Sequence, residues 1–474
     1  MTRLAVVGDC LLDLDLLGRV ERVSPDAPVP VVDQVAELAR PGGAGLAATL
    51  AARDGCEVTL VTPLGSDEPA RRLRALLRDV TLIPIDYHGE TPTKRRVRAA
   101  GQSLLRVDTG GEPGRVGALP LEAQRALRAA DAVLVSDYGR GMTGHAELRQ
   151  SLARLRAPVV WDPHPRGAAP VPGTRLATPN QAEAAGFAGS VVDTGLKAVT
   201  ACAHQLVAAW RVGAVAVTLG ERGALLSYGR GAPVMVPAPR VVARDACGAG
   251  DRFAVTAALQ LAAGAVTEEA VEAAVKSAAR FVANGGASSL WGADAERGGV
   301  AGERAEAGHA DSDSAPPPDR SKVDELVSRV RARGGTVVAT GGCFDLLHAG
   351  HVASLRAARQ LGDCLVVCLN SDASVRRLKG PGRPLVRAAD RARILEALEC
   401  VDAVVVFDED TPAEVLRRIR PDIFAKGGDY AGSELPEAKV LAEWGGQAVV
   451  LPYVPGRSTT GLVRRMANQG GVEQ

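Results

Sequence analysis

The stretch GGCFDLLHAGH, residues 341–351, places His348 and His351 three positions apart in a chain with seven histidines among 474 residues. Glycines at 341, 342 and 350 let a ligand approach the backbone closely. TVVATGG (336–342) has the composition of a strand, and HVASLRAARQLG (351–362) has the pattern of a helix, so the histidines fall at a strand-to-helix turn. At such a turn the free N–H groups of the helix start and the positive end of its dipole converge on one point. Two imidazoles there would donate hydrogen bonds to phosphate oxygens. Phosphoryl and nucleotidyl transfer need that arrangement, because their catalysis is mostly positioning and charge stabilisation. From spacing alone, two other readings stand beside this one. The histidines could simply cap the helix, or they could join Cys343 in a zinc site through C-x₄-H-x₂-H, for which no second Cys or His cluster supplies a fourth ligand.

Further turns nearby suit anions. RRLKGPGRPLVRAADRAR (376–393) carries seven basic residues in a Gly/Pro loop leading to a helix, directly after the strand ending NSD (370–372). KGGDY (426–430) ends a later strand with a cation, two glycines and a carboxylate, and GRSTTGLV (456–463) offers three hydroxyls at a helix start. A second constellation precedes these. In RDACGAGDRFAV (244–255), Gly248, Ala249 and Gly250 can present N–H groups to a transferring phosphate, and Asp251 could take a proton from an attacking hydroxyl. The plain alternative is a glycine-rich turn with an aspartate cap. GDCLLDLD (8–15) ends the first strand with Asp9 and Asp13, which could hydrogen-bond sugar hydroxyls or be an ordinary acidic strand end. RPGGAG (40–45) allows close backbone approach, and TPNQAE (178–183) and TLGERG (218–223) each end a strand with polar residues or glycines.

The elements that must position these residues alternate along the chain. Apolar runs at 4–9, 57–65, 132–137, 158–163 and 214–220, and again at 336–342, 364–372, 403–407, 423–428 and 448–455, are interleaved with Ala/Leu/Arg-rich helical stretches. Fully apolar strands between helices indicate parallel sheets covered on both faces, with sites at the carboxyl ends of strands. The stretch 293–320 has one Val as its only large aliphatic residue and reads as a flexible linker between domains 1–292 and 321–474. A formal charge of +1 and 3% aromatic content argue against nucleic acid as a partner. No apolar run approaches the ~18 residues of a membrane span. The eight scattered cysteines form no CxxC pair, and MTRLAVVGDCLLDLD meets acidic residues too early for a signal peptide, so a cytoplasmic protein with reduced thiols is expected.

The second domain resembles the HxGH nucleotidyltransferases over 336–466, and NSDASVRRLKGPGRPL, DTPAEVLRRIRPDIFAKGGDY and STT are similar to the heptose 1-phosphate adenylyltransferase branch. The resemblance implies a Rossmann-like fold in which His348 and His351 stabilise the α-phosphate as pyrophosphate leaves. It puts Gly342, Cys343, Phe344, Lys379, Arg383, Ser458, Thr459 and Thr460 on the nucleotide, and Asp345, Lys426, Gly428 and Asp429 on the sugar phosphate. The sugar phosphate's own oxygen would attack, without a protein base.

The first domain resembles the ribokinase-like sugar kinases over 4–290. RVSPDAPVPVV (22–32), RPGG, TKRRV (93–97), LVSDYGRG (134–141) and TPNQAE narrow this to heptose 7-phosphate kinases. The resemblance implies an α/β sandwich in which Asp251 is the base. ATP would meet Asn180, Gln181, Ala182, Glu183, Thr218, Gly220, Gly223, Gly248, Ala249 and Gly250, with Glu183 holding Mg²⁺ through water. Asp9, Asp13, Gly42, Gly43, Lys94 and Arg106 would face the sugar phosphate, and the enzyme would be a homodimer through this domain, with small molecules as its other partners. The chain departs from the family at Leu46 (Asn in the family), His164 (Lys), and Cys247 and Arg252 (Thr). Leu46 leaves a sugar hydroxyl without the Asn's hydrogen bond, a difference of about 1–3 kcal/mol. These departures leave two alternatives: the same architecture on another sugar phosphate or NTP, or a kinase half that only binds or dimerises.

Overall fold

The computed structural model describes residues 1–99, 102–193, 195–242, 245–290, 320–428 and 433–452. They fall into two compact units: Met1–Gly229 resuming at Ala238, and Arg230–Pro237 with the described residues from Arg320 onward. Most of the expected linker, 293–319, and the site candidates Asp429, Ser458, Thr459 and Thr460 lie outside the described residues.

In the first unit the central sheet runs in the order Ala224–Ser227, Val215–Thr218, Leu176–Ala177, Val159–Asp162, Ala132–Ser136, Arg3–Gly8, Glu57–Pro63 and Thr81–Ile85. All neighbours are parallel except the pair 215–218 and 224–227. Every residue of Ala132–Ser136 is buried, as expected for a strand covered on both faces. The covering helices Ala44–Arg53, Ala249–Ala262 and Thr267–Ala283 are rich in alanine, which lets them pack closely in a core short of aromatics. Buried Ala47, Ala48, Ala51, Ala254, Ala257 and Ala258 make that approach possible.

A second sheet, of four strands, forms a lid on this unit. Its order is Pro30–Gly43, Cys10–Val23, Thr93–Ala99, Gln102–Thr109. Sequence reading made Asp9 and Asp13 the end of the first strand. Instead that strand stops at Gly8, and Asp13 lies within the long strand Cys10–Val23. The reason is the alternation from Asp13 onward, in which Asp13 and Asp15 face one side and Leu12, Leu14 and Leu16 the other. Asp13 pairs in register with Arg40 on one side and Lys94 on the other.

The second unit has the parallel order Ala403–Phe407, Cys364–Asn370, Val337–Gly342, Ile423–Gly427, Gln447–Leu451, with Val234–Val236 at the edge, Val234 opposite Val450. Each of these five strands begins within a residue of its expected position. No described helix is long and apolar enough to cross a membrane.

Candidate active sites

In the first unit Asp251 lies in the first turn of the helix Ala249–Ala262, which is capped by Gly248 in the left-handed region at φ 81°. The carboxylate is 5% exposed. Burial is the main reason its pKa is pushed up to about 7; Lys94 and a hydrogen bond from Tyr138 act in the opposite sense. A β-carbon on Gly248 would lie 2.9 Å from Leu46 Cδ2, so Leu46 packs directly against the turn glycine.

The residues expected around the sugar divide into groups. Gly42 lies against Asp13: a β-carbon there would stand 2.6 Å from Asp13 Oδ2. Gly43, at φ 61°, faces the Tyr138 ring, above which Lys94 Nζ sits 5.0 Å from the centroid. Asp13 is ion-paired with Arg96 at 2.9 Å, and Asp15 with Arg40. Asp9 accepts the backbone N–H groups of Tyr138 (3.1 Å), Arg140 (2.9 Å) and Met142 (3.3 Å), so its carboxylate fixes the turn after the strand Ala132–Ser136. Arg106 stands exposed on the lid, forked onto Asp108 at 2.7 and 2.5 Å.

The two turns expected on ATP meet. Asn180 bridges Thr218, and Arg222 donates to Gln181 Oε1 at 3.0 Å. Ala182 is exposed beside them. Asn180 and Glu183 form a reciprocal cap: Glu183 N–H donates to Asn180 Oδ1 (2.9 Å) and Asn180 N–H to Glu183 Oε2 (2.8 Å). Gly220 and Gly223 take φ of 63° and 94°, which close the short turn between strands. Asp162 and Asp137, neither of them singled out from sequence, complete an acidic group. Burial chiefly raises the Asp162 pKa, with Asp251, Glu183 and Asp137 adding repulsion, and pushes Asp137 up to about 6.

The family departures have definite places. Arg252 pairs with Asp54 at 2.8 Å and donates to Ser277 at 2.7 Å. Cys247 Sγ accepts from Arg96 at 3.9 Å, and His164 stacks beside Tyr138, with ring centroids 6.5 Å apart.

In the second unit His348 caps the helix Ala349–Arg359 and stacks on His351, centroids 3.9 Å apart. His351 Nδ1 accepts the His348 backbone N–H at 3.4 Å. The cap reading and the phosphate reading therefore describe one arrangement. Among the described residues no group of three or more His, Cys, Asp or Glu side chains is set to hold a metal, and Cys343 Sγ instead donates to Asn370 Oδ1 at 3.8 Å. Phe344 and Leu346 take φ of 47° and 60°, an arrangement that stores about 1–3 kcal/mol of strain at each residue, as functional turns commonly do. Phe344 packs edge-on to His351, and Gly342 lies against the Phe344 ring. Lys379, exposed at the end of the helix Asp372–Lys379, is close enough to depress the His351 pKa.

Asp345, expected on the sugar phosphate, is instead buried under the basic loop. It accepts Arg383 at 2.6 Å and the N–H groups of Leu385 and Val386. Lys426 pairs with Glu437 at 2.8 Å, and Gly428 follows with φ 135°.

Arg391 was not singled out among the seven basic residues. It is 1% exposed and donates to the carbonyls of Cys343, Asn370 and Val386 and to Asp372. One guanidinium thus ties together the histidine turn, the end of the next strand and the basic loop. Its signal in the sequence is weak: a helical Arg spaced to share the inward face with Ala392 and Leu395. Arg391→Gln is expected to destabilise this unit by about 3 kcal/mol, since three carbonyls and a carboxylate lose a charged donor. A lowered midpoint for one of the thermal unfolding transitions checks it.

Residues 1–292 match the pfkB carbohydrate kinase family, and 339–456 match the cytidylyltransferase-like family. A bifunctional protein HldE from Streptomyces coelicolor is 56% identical over 98% of this chain and 97% of its own. The chain belongs to the bifunctional HldE family. A second HldE, from Trichlorobacter lovleyi, is 37% identical over 99% of this chain and 96% of its own. A solved ribokinase from Thermotoga maritima covers 62% of this chain and 97% of its own at 24% identity and a TM-score of 0.47. As an HldE-family member the chain is a bifunctional transferase, a sugar kinase joined to a nucleotidyltransferase.

Proposed function

We propose that the first unit phosphorylates D-glycero-D-manno-heptose 7-phosphate at O1, and that the second joins heptose 1-phosphate to AMP from ATP, giving ADP-heptose and pyrophosphate. The observation that carries this reading is a buried carboxylate at an anion-binding turn and a stacked histidine pair at another, in one chain that is HldE-like along its length. In the kinase reaction Asp251 takes the O1 proton, O1 bonds to the γ-phosphorus and ADP leaves with the electrons of the broken P–O bond. In the second reaction an oxygen of the sugar phosphate bonds to the α-phosphorus and pyrophosphate leaves. That oxygen is already an anion, so the unit needs donors rather than a base.

Mg²⁺ would be held at the kinase site through water, and not by a set of three protein ligands among the described residues. Glu183 keeps one carboxylate oxygen beyond its cap, and no Lys or Arg pairs with Asp137, Asp162 or Glu183 among the described residues. Glu183 would hold the ion through water, and the ion would neutralise phosphate charge.

A homodimer through the first unit is supported by the far part of the lid, where Val20, Val35, Leu104, Leu105 and Val107 are exposed. Light scattering at twice the chain mass, reduced to one by Leu105→Glu, is the expected result. A cytoplasmic location is supported by eight unpaired cysteines. Leu46, apolar and packed on the turn, favours one variant reading, a sugar phosphate that lacks a hydroxyl there.

The test follows the products by phosphorus NMR, with Mg²⁺-ATP and heptose 7-phosphate in one tube and ATP with heptose 1-phosphate in another. Heptose 1,7-bisphosphate in the first and ADP-heptose in the second are expected. Turnover in the second tube alone would overturn the kinase substrate and leave the adenylyltransferase standing.

A further inference from the structure

We propose that Tyr138 is the positioning residue for the kinase base: its hydroxyl orients the Asp251 carboxylate and yields one of the two oxygens when the sugar hydroxyl arrives. The proposal rests on the kinase reading above. Tyr138 donates to Oδ1 of Asp251 at 2.9 Å and to Oδ2 at 3.0 Å, so a single proton is shared between both oxygens of the base. No Lys or Arg forms an ion pair with Asp251 among the described residues. A neutral donor suits a base better than a salt bridge, because it holds the carboxylate in place and lowers its affinity for a proton less than a paired cation would.

The ring is fixed on every side. Its backbone N–H is held by Asp9, the Lys94 ammonium lies over one region of the ring, and the His164 ring stacks at 21°. Gly43, at φ 61°, lies so close that a β-carbon would stand 3.2 Å from Tyr138 Cδ2. These contacts give a reason for two residues expected at the sugar. Asp9 and Gly43 act through Tyr138, by shaping the turn and the slot that hold its ring.

The charged groups around the pair act in both senses. Lys94 favours the Asp251 anion, whereas Asp13 from the lid and Asp162 from the neighbouring strand oppose it. His164 faces the tyrosine ring with its pKa lowered, chiefly by burial. Against this background the Tyr138 O–H is the direct hydrogen-bond donor to both carboxylate oxygens. When O1–H of the sugar reaches one oxygen, the shared bond moves to the other; the proton passes from O1 to Asp251, and the O–H electron pair forms the new O–P bond.

Tyr138→Phe removes one oxygen and keeps the ring. Its kcat/KM for heptose 7-phosphate is expected to lose its acid limb at a pH about one to two units higher than wild type. A residue that merely fills space would lower activity and leave the limb where it was. A second measurement needs no sugar. Aspartate labelled with ¹³C at the carboxyl, with the Asp251 signal assigned by its loss in Asp251→Asn, gives the titration midpoint of the base directly. That midpoint is expected to rise in Tyr138→Phe, and also in Asp9→Asn, which loosens the turn carrying the tyrosine. An unmoved midpoint overturns the proposal. A wild type that ignores heptose 7-phosphate while the midpoint shifts overturns the substrate assignment and supports the role of Tyr138.

Discussion

Asp251→Asn is expected to lower the rate of sugar phosphorylation by about 10²–10⁴-fold, the usual contribution of a positioned base, while adenylyl transfer by the same preparation stays at the wild-type rate. Asparagine keeps the shape of the side chain and can still meet the Tyr138 hydroxyl, so the turn at Gly248 keeps its form and the loss is one of proton transfer. The base also dictates a pH profile. Burial pushes the carboxyl up to about 7, and only its ionised form can accept the O1 proton. Wild-type kcat/KM therefore falls about tenfold per unit below pH 7 and levels off above it. The substituted enzyme has no such limb. Rates of bisphosphate formation between pH 5.5 and 9, with ADP-heptose formation measured in parallel, check both statements. A full limb surviving in Asp251→Asn would move the base elsewhere.

The two helix starts proposed to meet phosphate were legible as turns because they are written in local sequence. GAGD and HAGH each join a strand or turn to a helix start, and their chemistry follows from backbone N–H groups that the sequence itself places. The parallel strands were legible for a similar reason, as apolar runs such as 132–136 and 403–407 leave little choice of layer. The lid was not. Its strand Cys10–Val23 mixes acids, arginines and leucines, and it pairs in parallel with Thr93–Ala99, a segment far away in the chain. Asp9 and Asp13 looked equivalent as strand-end carboxylates, but the chain passes from the central sheet to the lid between Gly8 and Cys10, which gives one three backbone N–H groups and the other an arginine. Arg391 was hidden for a further reason. In a run of seven basic residues, sequence does not say which one turns inward to satisfy a carbonyl of its own loop and carbonyls from two other segments. Asp345 likewise reads as a ligand until the loop it anchors is known to fold back onto it.

In the second unit the largest effect is expected from His351, and the geometry specifies its form. Burial, with help from His348 and Lys379, pushes its pKa down to about 4, so the ring is neutral at physiological pH. Its Nδ1 accepts the backbone N–H of His348, which leaves the single ring proton on Nε2. The group that His351 would offer to a phosphate oxygen is therefore a neutral Nε2–H donor, aligned by stacking on His348 and by the edge of Phe344. Removing one such donor to a developing charge lowers turnover by about 10²–10³-fold, the drop expected for His351→Ala in ADP-heptose formation, with the kinase reaction untouched. Two isosteres separate the roles of the ring nitrogens. Glutamine can place an N–H near the Nε2 position and is expected to keep more activity than asparagine, which reaches only as far as Nδ1. Because the working ring is already neutral, wild-type adenylyl transfer is expected to show no loss as pH rises from 5.5 to 8, through the ordinary histidine range. A decline across that interval would mean that a protonated imidazole is the active form, and that His348, not His351, supplies it.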